Sequence, residues 1–463
     1  MLKLGRMVHD DIINPFTGER VGQVPRGGAA EIDAALDAAV RAFASTRTLS
    51  AFRRRALLRA IADGLRSRAD EFAELITAEA GKPITFARAE VGRAIGTFTF
   101  AAEELSRFGG EIVPVDTEET GEGYQAIVRR FPLGPIAAIS PFNFPLNLVA
   151  HKLAPALAVG SAVVLKPAPQ APLTAFLLAE VVEAAGALPG QFTVVHCNPP
   201  EAEALATDPR PQMLSFTGSA AVGWHLRDIA GQKRVTLELG GNAGAIVHED
   251  ADLDWAVRRC TAGAFAYAGQ VCISLQRLYV HDAVYADVRD ALVAAARAVP
   301  VGDPRDPATV VGPVIDDHAA DRIVRWIDEA AANGARVLTG GSREGRLVAP
   351  TIVEGVSDDQ TISCEEVFGP VMLLGRYSDF DEAVRRVNAS KYGLQAGVFT
   401  HDDRRIRHAF AELDVGGVIV NDSPMVRMDN YPYGGVKASG SGREGVRYAM
   451  VEMTEPRVLV TRT

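Results

Sequence analysis

Cysteine is scarce in this sequence: its 463 residues include only Cys197, Cys260, Cys272 and Cys364, and no two of them form a CxxC pair. The number is too small for the disulfide framework of a secreted domain, and the spacing does not match a zinc finger. We therefore expect a reducing, cytoplasmic setting, in which structural disulfides are rare. Each thiol then has to be explained by packing or by chemistry.

A basic run and a long apolar run are also missing. Lys and Arg together number 48 against 58 Asp and Glu, which gives a net charge of -10. Because nucleic acid must be met by clustered cations, no nucleic-acid partner is expected. No window approaches about 18 uninterrupted apolar residues, so no membrane span is expected, and the N-terminus lacks the apolar core of a signal peptide.

The pattern of apolar residues divides the chain into regions. From Ala29 to about Ala80 it predicts helices that stop at Gly81 and Pro83. Residues 111–130 break the helical pattern and predict a β-excursion with a turn at GEG. From 135 onward, with a boundary near 240, apolar strands alternate with amphipathic helices, which predicts two α/β units with parallel sheets. The tail, MTEPRVLVTRT, predicts a strand without an evident partner, and pairing with another subunit is one way to cover it.

Three loops follow predicted strands of the first unit, where parallel sheets bind ligands. Asn143 in SPFNFPLN is either a turn residue or an amide donor aimed at developing oxyanion charge. Lys166 in VVLKPAPQAP either extends into solvent or donates to a ribose hydroxyl or phosphate. In SFTGSAAVG a strand runs through Gly218 and Ser219 into a helix start, which either binds a phosphate or forms only a tight turn.

Glu238 and Cys272 have stronger chemical character. Glu238 ends an apolar strand and precedes Gly240 and Gly241. Burial without a partner raises the pKa of a carboxyl group, so Glu238 either holds a backbone amide or is a general base tuned toward neutrality. Cys272 lies beyond the next predicted strand and helix, and one crossover can bring both side chains to the same edge.

Two later segments complete the set of unusual motifs. Glu366 and Phe368 lie in CEEVFGPV, where paired glutamates form either a solvated loop or a carboxylate that accepts from ribose hydroxyls. The segment PYGGVKASGSGREG, residues 432–445, is rich in glycine and is either a flexible surface loop or a functional one.

Seven motifs stand in one order along the chain: PFNFP, KPAPQAP, FTGSAAVG, LELGGN, GQVC, EEVFGP and PYGGVKASGSGREG. In this combination the sequence resembles the aldehyde dehydrogenase superfamily over essentially its whole length, and GQVCISLQRLYV with MVRMDNYPYGGVK is most similar to the lactaldehyde and phosphonoacetaldehyde dehydrogenase branch. The resemblance implies an α/β fold with a Rossmann-like cofactor-binding domain (1–110 and 131–240), an α/β catalytic domain (241–445) and a small oligomerisation β-excursion (111–130 and 446–463). It also implies a homodimer or homotetramer.

By the same resemblance, Cys272 is the nucleophile, Glu238 is the general base, and Asn143 forms the oxyanion hole with the backbone N–H of Cys272. The implied reaction is the oxidation of a small aldehyde to the acid, with NAD or NADP, through a thiohemiacetal and a thioester that Glu238 hydrolyses by activating water. The residues implied to hold the cofactor are Ser140, Phe142, Lys166, Gly218, Ser219, Leu239, Glu366 and Phe368.

Several positions bear on specificity. Pro169 stands where NAD-preferring relatives often carry an acidic residue, so the choice between NAD and NADP stays open. Arg427 is a candidate anchor for an anionic substrate or else a surface arginine, and Val271 leaves room for a small or apolar substrate. Two alternative functions are a CoA-acylating dehydrogenase, whose members commonly lack the carboxylate of Glu238, and a non-catalytic binding protein on the same scaffold.

Overall fold

The computed structural model describes residues 8–462. The helices are α1 (Ala29–Thr46), α2 (Ala51–Ser67), α3 (Ala69–Ala80), α4 (Ile84–Glu104), α5 (Asn147–Val159), α6 (Leu173–Ala184), α7 (Pro199–Thr207), α8 (Ala220–Ile229), α9 (Leu253–Phe265), α10 (Tyr285–Arg297), α11 (Asp317–Ala332), α12 (Thr361–Cys364), α13 (Phe380–Asn388), α14 (Asp403–Glu412) and α15 (Val446–Glu452). Within the described range, none of these helices combines the length and apolar character needed to cross a membrane.

The strands are β1 (His9–Ile13), β2 (Arg20–Pro25), β3 (Glu111–Val113), β4 (Tyr124–Pro132), β5 (Ile136–Ile139), β6 (Val163–Lys166), β7 (Phe192–Val194), β8 (Met213–Thr217), β9 (Arg234–Glu238), β10 (Ala243–Val247), β11 (Leu275–His281), β12 (Arg336–Thr339), β13 (Arg343–Glu344), β14 (Leu347–Val348), β15 (Thr351–Glu354), β16 (Val371–Tyr377), β17 (Tyr392–Gly393), β18 (Gln395–Phe399), β19 (Gly417–Val420), β20 (Val436–Lys437), β21 (Gly440–Ser441) and β22 (Thr454–Arg462).

A six-stranded sheet, in the order β21-β9-β8-β5-β6-β7, forms the centre of the first α/β unit. The strands from β9 to β7 run parallel, and β21 joins the edge antiparallel. Ile136 and Ala138 of β5 pack into a core with α2 to α6, whereas Ala137 and Ile139 pack into a second core with α1, α7 and α8. The sheet is therefore buried on both faces, which is why its central strands β5 and β6 are apolar except for Lys166.

A seven-stranded sheet, in the order β12-β15-β16-β11-β10-β18-β19, forms the second unit. All neighbours are parallel except β12, which pairs antiparallel with β15. The chain crosses from the first sheet to the second between β9 and β10, at residues 239–242. The predicted α/β class is confirmed. The domain limits stay a prediction, and β21, from the range assigned to the catalytic domain, pairs with the first sheet.

A three-stranded antiparallel sheet, in the order β22-β4-β3, is separate from the two large sheets, and Arg234 of β9 donates to Glu455 of β22. All nine residues of β22 pair with β4, so the C-terminal strand has its partner within the same chain. Residues 446–452, which the sequence assigned to the β-excursion, form helix α15 instead. Val446, Ala449 and Met450 recur at helical spacing and are buried in the core around α4 and α5, which accounts for the difference.

Candidate active site

The two parallel sheets meet where β9 ends and β10 begins. Glu238 is the last residue of β9, and Cys272 precedes β11, the strand next to β10. A side chain at Gly241 would overlap the carbonyl oxygen of Cys272, so only glycine lets the two backbones approach this closely. The crossover therefore brings the segments that carry Glu238 and Cys272 into contact.

The turn before Cys272 has an unusual backbone. Tyr267 and the alanine after it have φ angles of 52° and 53°, and Gly269 follows at 67°. Left-handed angles cost of order 1–3 kcal/mol at a residue with a Cβ and persist only where the surroundings enforce them. Gln270 anchors the end of the turn, because its Oε1 accepts from the backbone N–H of Ile315 at 2.9 Å. Strain of this kind concentrates at functional sites, and here it sets the course of the chain into Cys272.

The Cys272 thiol borders a cavity of about 240 Å³. The wall is mainly apolar and aromatic, and its charged members include Lys82, Arg93 and Arg427. The Tyr433 hydroxyl lies 3.2 Å from the sulfur. Burial raises the pKa of the Cys272 thiol to about 11, whereas the hydrogen bond with Tyr433 and the Arg427 guanidinium lower it. The thiol can thus meet a small molecule in a site of low polarity.

Asn143 lies in the loop after β5 and beside the Cys272 segment. Its Nδ2 donates to the carbonyl oxygen of Gln270 at 2.9 Å, two residues before the cysteine. Its Oδ1 is buried and has no hydrogen-bond partner among the described residues. A primary amide carries two N–H groups, so one of them is free for an oxygen atom bound next to the sulfur.

Glu238 is buried, and neither carboxyl oxygen has a hydrogen-bond partner in the described part of the chain. Burial, followed by repulsion from Glu444, raises its pKa well above the ordinary value, and Arg427 and Lys152 act in the opposite direction. Gly434 of the glycine-rich segment packs against the carboxyl group, since a Cβ there would lie 2.8 Å from Oε1. The alternative of an acid that holds a backbone amide therefore does not apply.

A charged network near Glu238 was not predicted from the sequence. Lys152 donates to Thr217 Oγ1 at 2.7 Å and approaches Glu444 at 3.4 Å. Glu444 also accepts from Arg427 at 2.8 Å. A signal was available, because Lys152 lies in a largely apolar helix and a buried lysine needs a partner.

Four residues expected to hold the cofactor lie at or just after the ends of β5, β6 and β8. Lys166 ends β6 and is buried, which lowers its pKa. Ser140 follows β5, and its buried Oγ has no hydrogen-bond partner among the described residues. Gly218 and Ser219 lead from β8 into α8, and a side chain at Gly218 would lie 2.6 Å from the Phe216 ring. A buried ammonium, an unsatisfied hydroxyl and a helix N-terminus fit the hydroxyls and phosphates of a dinucleotide.

The other four residues expected to hold the cofactor are Leu239 and Glu366, which lie beside the glycines after β9, and the aromatic pair Phe142 and Phe368. Glu366 Oε1 accepts from the Gly241 N–H at 2.9 Å, and burial raises the pKa of Glu366 to about 7. Phe142 and Phe368 form an edge-to-face pair with centroids 6.0 Å apart. Leu239 is buried, and its N–H donates to a carbonyl beside β21 at 3.0 Å.

Arg427 is not a surface residue. Its side chain is 7% exposed, and its guanidinium carbon lies 3.6 Å from the centroid of the Tyr433 ring. Its Nε is buried and has no hydrogen-bond partner among the described residues, although it lies 3.9 Å from Asp429. Val271 is buried in the wall of the same cavity. The two predicted specificity residues therefore border the cavity that holds Cys272.

The sequence missed Lys82, which lines the same cavity. Its ammonium is fully buried, forms an ion pair with Glu90, and lies 3.5 Å from the centroid of the Phe144 ring and 4.6 Å from that of Tyr267. The local pattern GKP indicates only a helix stop. Nothing near it in the sequence signals the aromatic residues that enclose the ammonium.

Comparison with known proteins gives full-length matches. The model of the "Aldehyde dehydrogenase family" matches residues 7–459. A 3-sulfolactaldehyde dehydrogenase from Priestia aryabhattai is 43% identical over 451 residues, which cover 97% of this chain and 94% of that protein. The chain is also similar to the crystal structure of aldehyde dehydrogenase 21 from Physcomitrella patens in complex with the reaction product succinate. The TM-score is 0.97 at 45% identity, and the match covers 99% of this chain and 96% of that protein. The glyceraldehyde-3-phosphate dehydrogenase GapN from Methanocaldococcus jannaschii, complexed with NADP, has a TM-score of 0.95 at 36% identity and covers 99% and 100%.

Proposed function

The chain belongs to the aldehyde dehydrogenase family, and we propose that it oxidises a short aldehyde that carries an anionic group to the corresponding carboxylic acid. It is an enzyme that uses NAD or NADP. The family predicted from the seven motifs is thus confirmed. The substrate class and the role of each residue are the proposal.

The observation that carries the proposal is that Cys272, Asn143 and Glu238 lie near one another where the two sheets meet. The segments that carry Glu238 and Cys272 touch at Gly241, and Glu238 acts on the pKa of the Cys272 thiol. Cys272 provides a thiol at the cavity wall, and the Asn143 amide lies beside its segment. Glu238 is a buried carboxyl group without a hydrogen-bond partner among the described residues, and burial raises its pKa above the ordinary value, the direction expected of a general base. We assign these residues as nucleophile, oxyanion donor and base.

The first half of the reaction forms a bond to sulfur. The Cys272 thiolate attacks the aldehyde carbon, so the S–C bond forms while the carbonyl π electrons move to oxygen. The Asn143 amide and the backbone N–H of Cys272 hold this oxyanion. Lys166, Ser219 and Glu366 would bind the cofactor, which when bound would accept the hydride. As the oxyanion electrons return to carbon, the C–H bond breaks and a thioester on Cys272 remains.

The second half hydrolyses the thioester on Cys272. Glu238 takes a proton from water while the water oxygen attacks the acyl carbon. The C–S bond then breaks, the thiolate of Cys272 leaves and the carboxylic acid is released. The presence of Glu238 favours water over coenzyme A as the acyl acceptor, because water is a much weaker acid than a thiol and depends more on a base to attack.

Cations in the cavity support an anionic substrate. Lys82, Arg93 and Arg427 line it together with Glu90. Lys82 pairs with Glu90 and Arg93 with Asp429, whereas the Nε of Arg427 is a buried donor without a hydrogen-bond partner in residues 8–462. Such a donor gains free energy when an anionic oxygen binds it. The three proteins compared above are named for, or bound to, molecules with a sulfonate, a carboxylate and a phosphate.

The C-terminal strand supports assembly into a homodimer or homotetramer. β22 is an edge strand of its sheet, and Val458, Leu459 and Val460 are between 53% and 61% exposed. Exposed apolar edge strands invite pairing with another chain. Together with four free thiols, which favour a reducing setting, this supports an oligomeric cytoplasmic enzyme.

The test is a matrix of small aldehydes against both cofactors, with the formation of NAD(P)H as the readout. The set includes neutral, sulfonate, carboxylate and phosphate aldehydes of matched length. We expect the anionic aldehydes to have the higher kcat/KM. In Arg427→Met, kcat/KM for the anionic aldehydes should fall by about 10–100-fold, the usual value of a hydrogen bond to a charged group, and the neutral aldehyde of the same variant serves as the control.

Three outcomes would contradict parts of this proposal. Absence of NAD(P)H from every aldehyde, with Cys272 reduced and accessible, would refute aldehyde oxidation by this site. An equal loss on anionic and neutral aldehydes in Arg427→Met would refute the anion anchor. Formation of an acyl-CoA in place of the free acid would favour the CoA-acylating alternative.

A further inference from the structure

Tyr433 is a fixed neighbour of the sulfur and was not predicted from the sequence. It lies between β19 and β20, and its side chain is 3% exposed. Its backbone N–H donates to Glu444 at 3.0 Å, and its carbonyl accepts from Glu444 at 2.7 Å. Its hydroxyl oxygen lies 3.2 Å from Cys272 Sγ. The phenol is thus held against the sulfur by two backbone hydrogen bonds and by burial.

The hydroxyl of Tyr433 is suited to donate. Burial raises its pKa well above the ordinary value, so the phenol keeps its proton at any working pH. The Arg427 guanidinium covers the ring face at 3.6 Å, and a cation in this position withdraws electron density from the ring. Because Arg427 is itself held by Glu444 at 2.8 Å, the stacking is fixed.

The charged groups around the sulfur otherwise give little support to a thiolate. Glu238 and Glu366 raise the pKa of Cys272, and burial raises it most. Arg427 acts in the opposite direction, together with the Tyr433 hydrogen bond. A thiolate is nonetheless the species that attacks carbon, so a donor within hydrogen-bond distance of the sulfur has a direct effect on reactivity.

We propose that Tyr433 is a catalytic residue whose phenol O–H donates to Cys272 Sγ and stabilises the thiolate that attacks the aldehyde. The proton released by the thiol passes to water in the cavity, the phenol keeps its own proton, and no electrons are transferred in this step. The proposal rests on the proposed function, since it takes Cys272 as the nucleophile.

The experiment uses Tyr433→Phe, which keeps the ring and its contact with Arg427. The rate of Cys272 alkylation by iodoacetamide is measured against pH without aldehyde or cofactor. We expect the apparent pKa of the thiol to move upward by about 1–2 units, as for the loss of a hydrogen bond to an ionised group. The rate of the first NAD(P)H burst should fall by about 10–100-fold at neutral pH and recover at alkaline pH.

Tyr431→Phe is the matched control. Tyr431 lies two residues away, and its hydroxyl donates to the carbonyl oxygen of Val426 at 3.2 Å. It makes no hydrogen bond to Cys272, so the alkylation profile should match that of the parent protein. The same profile in Cys272→Ala supplies the background from the other three cysteines.

Two results would overturn the proposal: superimposable pH profiles for the parent protein and Tyr433→Phe, or a loss of reactivity in that variant that is equal at every pH. If Tyr433→Phe does not fold, the same alkylation profile is measured on protein with fluorotyrosine at position 433. Its more acidic phenol should shift the thiol pKa downward, and an unchanged pKa would refute the role. Alkylation does not require turnover, so an enzyme that oxidises no aldehyde but has the shifted profile would refute the proposed function alone.

Discussion

Glu90 and Glu238 are both buried, but their surroundings differ. Glu90 pairs with the buried Lys82, and its Oε1 accepts the backbone N–H groups of Leu146 and Asn147 at 2.9 and 3.0 Å. Glu238, by contrast, has no hydrogen-bond partner at either oxygen among the described residues. One carboxylate is satisfied and the other is left for something that the chain itself does not supply.

The Glu90 region ties the active site together. Lys82 lies against Phe144, the residue after Asn143, and against Tyr267 in the strained turn before Cys272. The ion pair therefore links α4, the loop that carries Asn143 and the segment that carries Cys272. A buried carboxylate whose oxygens are all hydrogen-bonded serves the structure, whereas a buried carboxyl group without partners is a candidate for proton transfer.

Glu238→Gln removes the proposed general base and has the largest expected effect. We expect kcat to fall by about 10²–10⁴-fold, the usual contribution of general base catalysis, while the first NAD(P)H burst is retained. Rapid mixing and steady-state assays of the same preparation check this. An equal loss of burst and turnover would mean that the base acts before hydride transfer.

Glu238→Gln should also change the pH dependence of the stability of the fold. Because the folded pKa of Glu238 is raised, the folded state retains a proton that the unfolded state loses, and stability falls as pH rises from about 4.3 to the folded pKa. Gln lacks this term, so Glu238→Gln should unfold at the same or a higher temperature than the parent protein, with a gap that widens with pH in this window. Calorimetry at several pH values checks it, and a lower melting temperature near neutral pH would assign Glu238 a structural role.

Lys82→Met tests the other region. It leaves a buried carboxylate without its cation, which typically destabilises by about 3–5 kcal/mol. We expect a large drop in melting temperature, with partial recovery in the double variant Lys82→Met and Glu90→Gln, because the second change removes the uncompensated charge. Calorimetry of the two variants measures the difference.

An exposed ion pair provides the control for Lys82. Arg407 and Asp403 lie 2.7 Å apart with side chains 79% and 71% exposed, so Asp403→Asn should leave the melting temperature unchanged. A double variant that is no more stable than Lys82→Met would indicate that the lysine stabilises by packing against aromatic rings and not through its charge.

Some residues of the candidate site could be predicted from the sequence and others could not, for a physical reason. Asn143, Lys166 and Glu238 each end or follow a strand of a parallel sheet, so the alternation of strands and helices alone places them at one edge. Lys82 and Tyr433 depend on contacts between segments far apart in the chain. No local period or motif encodes those contacts, so only the folded structure reveals them.

Parts of the fold could likewise be predicted from the sequence, and other parts could not. The alternation of apolar strands and amphipathic helices was sufficient to predict two α/β units. The pattern of apolar residues shows no partner for the C-terminal strand, because the two α/β units separate it from β4 in the chain. Only the family resemblance groups it with residues 111–130, a range that includes most of β4. Helix α15 was missed because its seven residues are too few for a clear period beside a strand-like tail.

Glu366 has fewer hydrogen-bond partners than Glu90 and more than Glu238. Its substitution is expected to have the smallest effect on catalysis. One of its oxygens accepts from Gly241 N–H at 2.9 Å, and burial raises its pKa to about 7. If the ionised form accepts from ribose hydroxyls, the KM for the cofactor should rise as the pH falls through about 7. Glu366→Gln should increase that KM by about 10-fold, the low end for a hydrogen bond to a charged group, and remove its dependence on pH. Initial rates between pH 6 and 9 at saturating aldehyde measure both, and a parent KM that is flat across about pH 7 would place this carboxylate with Glu90 as a structural acid.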